Sequence, residues 1–204
     1  MNNLIKNDNL KDYVCLQLSN SAKVSNRIDD IPMRQYLDLY VTYNFYTNNF
    51  GSIKPHIITN DDMKTLNMTE EELYDIALEN TKRIFPPKMR KLDDIISELT
   101  GMDMNCESPL YYIGNESGQF GSAVLLYDDL PEKIYEILQD DFYYIPASIH
   151  EYLLVTEEDT YYCQSNLIDM VRCVNREVLT DNMVLSDNIY HYCHKSKEIS
   201  VLIK

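Results

Sequence analysis

The sequence predicts an α+β fold: antiparallel sheets with helices packed on one face. Three observations carry the prediction. Short runs alternate apolar with polar residues, the period of a half-buried strand. These runs come as neighbouring pairs joined by turn residues, which makes hairpins and not parallel crossovers. Amphipathic stretches that open on Thr, Asp, Ser or Asn fall between the pairs, where helices can fold back onto a sheet.

Residues Leu10–Ser19 fit either a short helix or a short strand. Over Tyr36–Tyr46 the alternation is plain: Leu37, Leu39, Val41, Tyr43 and Phe45 share one side, and Asp38, Tyr40, Thr42, Asn44 and Tyr46 the other. Asn48, Asn49 and Gly51 supply a turn, and Ile53–Thr59 reads as the returning strand. Thr69 with Glu72 three residues on is a capping box. The helix it opens sets Leu73, Ile76, Ala77 and Ile84 on one side, and Pro86-Pro87 ends it. A further helix runs from Leu92 to Leu99 and stops at Gly101.

A weak boundary at Gly101–Ser108 divides the chain into an N-terminal α+β part, 1–101, and an acidic α+β part, 102–204, unless the two form one continuous domain. In the second part Pro109–Ile113 and Ser122–Tyr127 are expected to form a hairpin across Gly114–Gly121. Asp129 is placed to cap a helix through Leu138, with Pro131 tolerated in its first turn. Phe142–Ile145 reads as a strand that Pro146-Ala147-Ser148 breaks and Tyr152–Val155 resumes. Ser165 or Asn166 would cap a helix burying Leu167, Val171, Val174 and Val178. Ile189–Cys193 and Ile199–Ile203 close the chain as a hairpin around Lys195-Ser196-Lys197.

With 204 residues, 45% hydrophobic and 25% charged, the chain can bury a real core, and wholesale disorder is excluded. Its formal charge of −15 is segregated. Residues 1–102 hold twelve bases against fifteen acids, and 103–204 six against eighteen. Between Leu92 and Val171, seventeen acidic residues face a single base, Lys133. Such a surface selects basic partners and repels nucleic acid and anionic lipid. The five cysteines show no CxxC spacing, and Met1–Asn9 lacks an apolar run, which together point to a reducing cytoplasm. No apolar stretch is long enough to span a bilayer. Seventeen tyrosines and no tryptophan suit half-buried strands; Tyr111-Tyr112, Tyr143-Tyr144 and Tyr161-Tyr162 must each send one ring to either side of a strand.

Ser148, His150 and Glu151 hold the residue types of a nucleophile, a base and an orienting group. On an extended strand Ser148 and His150 would share a side but stand too far apart for a direct bond, and no Gly-x-Ser-x-Gly elbow surrounds the serine. A turn in which His150 bonds to backbone is the structural alternative. Asn175 and Asp187 are further polar candidates; convergence with His150 would define a small-ligand or hydrolytic pocket. His150, His191 and His194 lack the HxxxH, HExxH or paired-cysteine spacings of metal sites, so no metal is expected. Five glycines, none in a Gly-rich loop before a helix, give no phosphate cradle, and no cofactor is expected. The remaining candidates are carboxylates on loops, helix exteriors and strand ends: Asp128, Asp129, Glu132, Glu136, Asp140, Asp141, Glu157, Glu158 and Asp159.

Residues 142–155, FYYIPASIHEYLLV, followed by MVRCVNREVL and VLSDNIYHY, resemble an uncharacterised family of Gram-positive gut bacteria whose members carry a Pro-Ser-Ser-Ile-His-Glu segment between strands. Residues 60–86, NDDMKTLNMTEEELYDIALENTKRIFP, resemble that family too and, more distantly, the uncharacterised YtpQ-like family. The resemblance implies no activity, cofactor or catalytic residue. Two departures stand out: family members run longer at the N-terminus, and Ala147-Ser148 stands where they have Ser-Ser. A shortened, acidic version fits a phage or mobile-element origin. The expectation is a non-catalytic acidic protein that blocks a basic partner, a nucleic-acid-binding protein or a defence nuclease, by occupying the groove that would take a phosphate backbone. The alternatives are a small hydrolase or nucleotide-processing enzyme using His150 with nearby carboxylates, and a structural domain whose family function lies in a missing N-terminal region. Oligomeric state is not legible.

Overall fold

The computed structural model describes residues 10–49, 52–102, 108–160 and 164–202. The chain divides into two compact units, Met1–Pro86 and Pro87–Lys204. The division falls at the two prolines and not at 101. The physical reason is that residues 87–91 are a strand of the second unit's sheet, paired with 111–115.

The first unit contains β1 (Val14–Asn20), α1 (Ser21–Val24), β2 (Met33–Tyr36), β3 (Leu39–Asn49), β4 (Ser52–Ile57), α2 (Asn60–Leu66) and α3 (Glu70–Ile84). Strand β3 is central, with β1 along one side and β2 and β4 in succession along the other, all antiparallel. The strand expected from Tyr36 begins only at Leu39, because Leu37 turns with φ 55 between β2 and β3. Both halves of the capping box form: Thr69 accepts from the Glu72 amide, and Glu72 from that of Thr69. Leu73 and Ala77 are buried on α3. Its last turns satisfy the open edge of β1, where Asn80 donates to the Lys11 and Val14 carbonyls and Thr81 Oγ1 accepts the Leu16 amide at 2.8 Å.

The second unit contains β5 (Pro87–Lys91), α4 (Leu92–Thr100), β6 (Tyr111–Asn115), α5 (Leu130–Leu138), β7 (Phe142–Pro146), β8 (Tyr152–Thr156), α6 (Glu157–Thr160), α7 (Gln164–Glu177), β9 (Ile189–Cys193) and β10 (Glu198–Leu202). Its six strands run β10-β9-β7-β8-β6-β5, every neighbouring pair antiparallel. The α+β class with antiparallel sheets is therefore the architecture of both units.

Four expected local features differ. Asp129 stands before α5 in helical backbone geometry, and its side chain makes no capping bond but pairs with Lys133. Residues 121–126 form a 3₁₀ helix and not a hairpin partner for β6, whose two edges are already taken by β5 and β8. Their run of buried residues is continuous, so periodicity does not separate strand from helix there. Strand β8 does not resume β7 but returns antiparallel to it, with Pro146 opposite Tyr152. Among the described side chains of α7 the buried ones are Ile168, Val171 and Asn175, while Val174 and, just past the helix, Val178 are exposed; Ser165 and Asn166 lie inside the helix, which opens by Gln164.

The sheet is buried on both sides. Tyr143, Ile145, Val155 and Ile189 pack with Ile168 and Val171 of α7. On the opposite side Phe142, Tyr144, Tyr152, Tyr190 and Tyr192 are almost completely buried and meet ring to ring at 5.1–6.3 Å. Tyr152 there donates to the Ser122 carbonyl, and Tyr192 to the Glu132 carboxylate of α5. Burial keeps the apolar rings inside while each of these two hydroxyls finds an acceptor. Among the described residues, no helix is long and apolar enough to cross a membrane.

Candidate binding site at the acidic end of the second sheet

The residues with catalytic chemistry gather at one end of this sheet, in the loop 147–151 between β7 and β8. There they hold the loop together. The Ser148 hydroxyl donates to Glu151 Oε1 at 2.6 Å and accepts the His150 amide at 3.0 Å. His150 Nδ1 accepts the Phe120 amide at 2.9 Å, so the serine and the imidazole are not placed as a nucleophile–base pair. The Ala147 and Ser148 amides both donate to the Glu151 carbonyl, and Ile149 exchanges backbone bonds with Ser122 and Met183. Gly114 and Gly121 let the loop approach: a Cβ at Gly121 would collide with the His150 carbonyl oxygen.

Asn175 and Asp187 form a separate contact. The Asn175 side chain, buried on α7, donates to the Ser186 carbonyl at 2.9 Å and to Asp187 Oδ1 at 2.8 Å, pinning the helix to the segment that enters β9. No hydrogen bond among the described residues joins this pair to His150.

The opposite end of the sheet is acidic. It is built where β7 begins, β8 ends and β9 ends. Asp140 accepts the Asp141 amide through Oδ1 and the Glu158 amide through Oδ2. The Asp141 carbonyl accepts the Glu157 amide at 2.7 Å, and Asp141 Oδ1 accepts the His194 amide at 2.9 Å. Asp159 bonds to the Thr156 hydroxyl at 2.6 Å, fixing the first turn after β8. Glu132 reaches the same end from α5, taking the Tyr192 hydroxyl and lying 3.5 Å from both Lys197 Nζ and His194 Nδ1. His194 also stacks on Tyr135 of α5, centroids 3.7 Å apart and planes within 6°.

Five of the nine predicted acidic residues, Asp140, Asp141, Glu157, Glu158 and Asp159, thus lie in adjoining strand ends, and Glu132 joins them through Tyr192 and His194. Asp128 and Asp129 are exposed ahead of α5, where Asp129 pairs with Lys133 at 2.5 Å, and Glu136 is exposed on the helix. The bond from Tyr192 holds the Glu132 carboxyl below its usual range; burial, then Glu132 itself, pushes the Tyr192 hydroxyl up.

His191 completes the cluster. Its ring packs on Tyr143 with centroids 4.8 Å apart, and its Nε2 lies 3.7 Å from Glu157 Oε2. One ligating atom each from Asp141, Glu157 and His191 falls within a 4.8 Å span. Spacing could not reveal this group, because the three residues sit on separate strand ends and only the sheet register brings them together.

The first unit offers a contrast in charge. Its open groove of about 410 Å³ is lined by Ile28, Pro32, Met33, Tyr40 and Met63 with one carboxylate, Glu70. Glu70 is already engaged by Arg34 at 2.8 Å and by the Tyr43 hydroxyl. Burial opposes its charge, but those two bonds prevail and keep the carboxyl below its usual range.

A model of the family of unknown function DUF5688 matches residues 1–194. The chain belongs to that family. No curated protein and no solved structure matches it. For this DUF5688 member, function must therefore be argued from its own geometry.

Proposed function

We propose that this DUF5688 protein is a non-catalytic acidic binding module whose partner is a basic protein, engaged through the end of the second sheet that carries Asp140, Asp141, Glu157, Glu158 and Asp159. The observation that supports this reading is placement. Residues 87–204 hold twenty-one acids against nine bases, and at adjoining strand ends three carboxylates, Asp140, Asp141 and Asp159, are oriented by backbone and hydroxyl bonds beside Glu157 and Glu158, whose amides are bonded to Asp141 and Asp140. Fixed carboxylates lose little side-chain freedom when a cationic partner docks, and their summed field steers its approach.

On this reading the partner is a nucleic-acid-binding protein or a defence nuclease, and the acidic end competes for the groove that holds a phosphate backbone. The setting is the cytoplasm of Gram-positive gut bacteria or of their phages and mobile elements, with a distant YtpQ-like kinship. Neither a cofactor nor direct nucleic-acid or membrane binding enters the proposal. The enzyme alternative gains no observation, since Ser148 is bonded within its own loop and His150 Nδ1 takes the Phe120 amide.

Capture from a bacterial lysate on the immobilised chain, in chelator-containing buffer, tests the reading. A basic protein should be retained at about 50 mM salt and released by about 500 mM, as the screening length contracts. Crosslinks from it should map to 140–141 and 157–159. A basic protein that stays bound in high salt, or crosslinks only elsewhere, overturns the proposal.

A further inference from the structure

We propose that Asp141, Glu157 and His191 form a binding site for a divalent first-row transition ion. The inference stands apart from the partner reading, because it rests on three ligating atoms and not on the surface field.

The donor set is the first argument. Two carboxylates and one imidazole suit the borderline ions Fe²⁺ and Zn²⁺, and the carboxylates also Mn²⁺, better than Ca²⁺ or Mg²⁺, which favour all-oxygen sites. Two ligands sharing such an ion, each about 2.0–2.2 Å from it, stand roughly 3–4 Å apart. The three atoms lie within 4.8 Å of one another, so closing on the ion takes a movement of at most roughly 1–2 Å, within the reach of the Glu157 side chain, which is 46% exposed.

The second argument is an unmet valence. His191 Nε2 is sealed from solvent, has no hydrogen-bond partner, and faces Glu157 from 3.7 Å, beyond hydrogen-bond distance. A buried ring nitrogen left this way costs desolvation free energy with nothing in return. A cation between Nε2 and the two carboxylates would satisfy it and offset their mutual repulsion.

The scaffold is the third. Asp141 and Glu157 are coupled by the bond from the Glu157 amide to the Asp141 carbonyl, next to the Phe142–Thr156 register pair. His191 is held opposite Tyr143 in the neighbouring strand and packs against its ring at a tilt of 34°. The His194 amide fixes Asp141 through Oδ1, which orients the carboxylate from outside the ligand set. Three protein ligands leave coordination positions open, the arrangement of a site that admits water or a further group.

The test uses the full chain, stripped with chelator and titrated calorimetrically with Zn²⁺ and, separately, Mn²⁺. One equivalent should bind and raise Tm, as for any ligand of the folded state. His191→Ala and Glu157→Gln should each weaken binding by at least about tenfold and abolish the Tm rise. Glu136→Gln, which removes an exposed carboxylate outside the group, should bind as the parent does. Should Glu157→Gln fail to fold, Asp141→Asn, which keeps the acceptor for the His194 amide, takes its place. Absence of binding by either ion overturns the proposal, as does unchanged affinity in His191→Ala, which would leave an ordinary histidine–carboxylate contact. The titration contains no partner and the capture experiment no free metal, so each proposal can fail alone.

Discussion

At one end of the second unit's sheet, Ser148, His150 and Glu151 direct their polar atoms at one another and at nearby backbone; at the other, Asp140, Asp141, Glu157, Glu158 and Asp159 are tied in by backbone amides and the Thr156 hydroxyl and stay half-exposed or exposed. Both ends combine histidine with carboxylates, so residue type does not separate them. What separates them is where the hydrogen-bonding capacity goes. The hairpin loop uses the Ser148 hydroxyl twice and one ring nitrogen of His150 to hold its own shape. The acidic end keeps carboxylate oxygens beyond those bonded to amides, and a buried imidazole nitrogen without a partner. A loop that consumes its polar groups is a structural device, whereas an end that retains them has capacity for a ligand.

The largest effect should come from the hairpin end. Gly121→Ala would set a Cβ against the His150 carbonyl and 2.9 Å from the Asn115 amide. Overpacking of backbone against backbone should cost about 3 kcal/mol, read as a lowered denaturation midpoint. A cost near zero would mean that the loop yields, and the contrast between the ends would weaken. Next comes Ser148→Ala, which removes a buried hydroxyl bonded to Glu151 and to the His150 amide and should cost about 1–2 kcal/mol. Partner capture and metal affinity should not change; loss of either at unchanged fold would give the hairpin a functional role.

The smallest effect concerns Glu132, whose carboxyl lies below the ordinary 4.5 because Tyr192 donates to it. A folded value below the unfolded one adds stability that is present above about pH 4.5 and is lost as pH falls through the lower folded value. Glu132→Gln should therefore lower stability slightly at neutral pH and flatten the acid limb of the stability–pH curve, the variant and the parent converging at the acid end. An unchanged acid limb would detach Glu132 from the network at this end.

Much of the scaffold was legible in the sequence, for local reasons. The capping box at Thr69 and Glu72, the α4 stop at Gly101 and the closing hairpin of β9 and β10 each depend on neighbours within a few residues. The long-range pairing was not. Nothing near Tyr111 announces that β6 lies between β5 and β8, and a buried Asn175 shifted the α7 face by one position from the one its valines indicate. For the site, the pairs Asp140-Asp141 and Glu157-Glu158 were visible as charge. Their meeting depends on the register that sets Phe142 opposite Thr156, and the arrival of His191 on the register that sets it opposite Tyr143.

The most direct measurement separates position from net charge. The chain carrying Glu157→Lys, Glu158→Lys and Asp159→Lys is compared in partner capture with one carrying Glu71→Lys, Asp75→Lys and Glu79→Lys, three exposed positions of α3 in the first unit. Both variants change the total charge equally. The account predicts that the first loses the basic partner at low salt while the second retains it; equal loss in the two would contradict it, leaving bulk acidity and no built binding face.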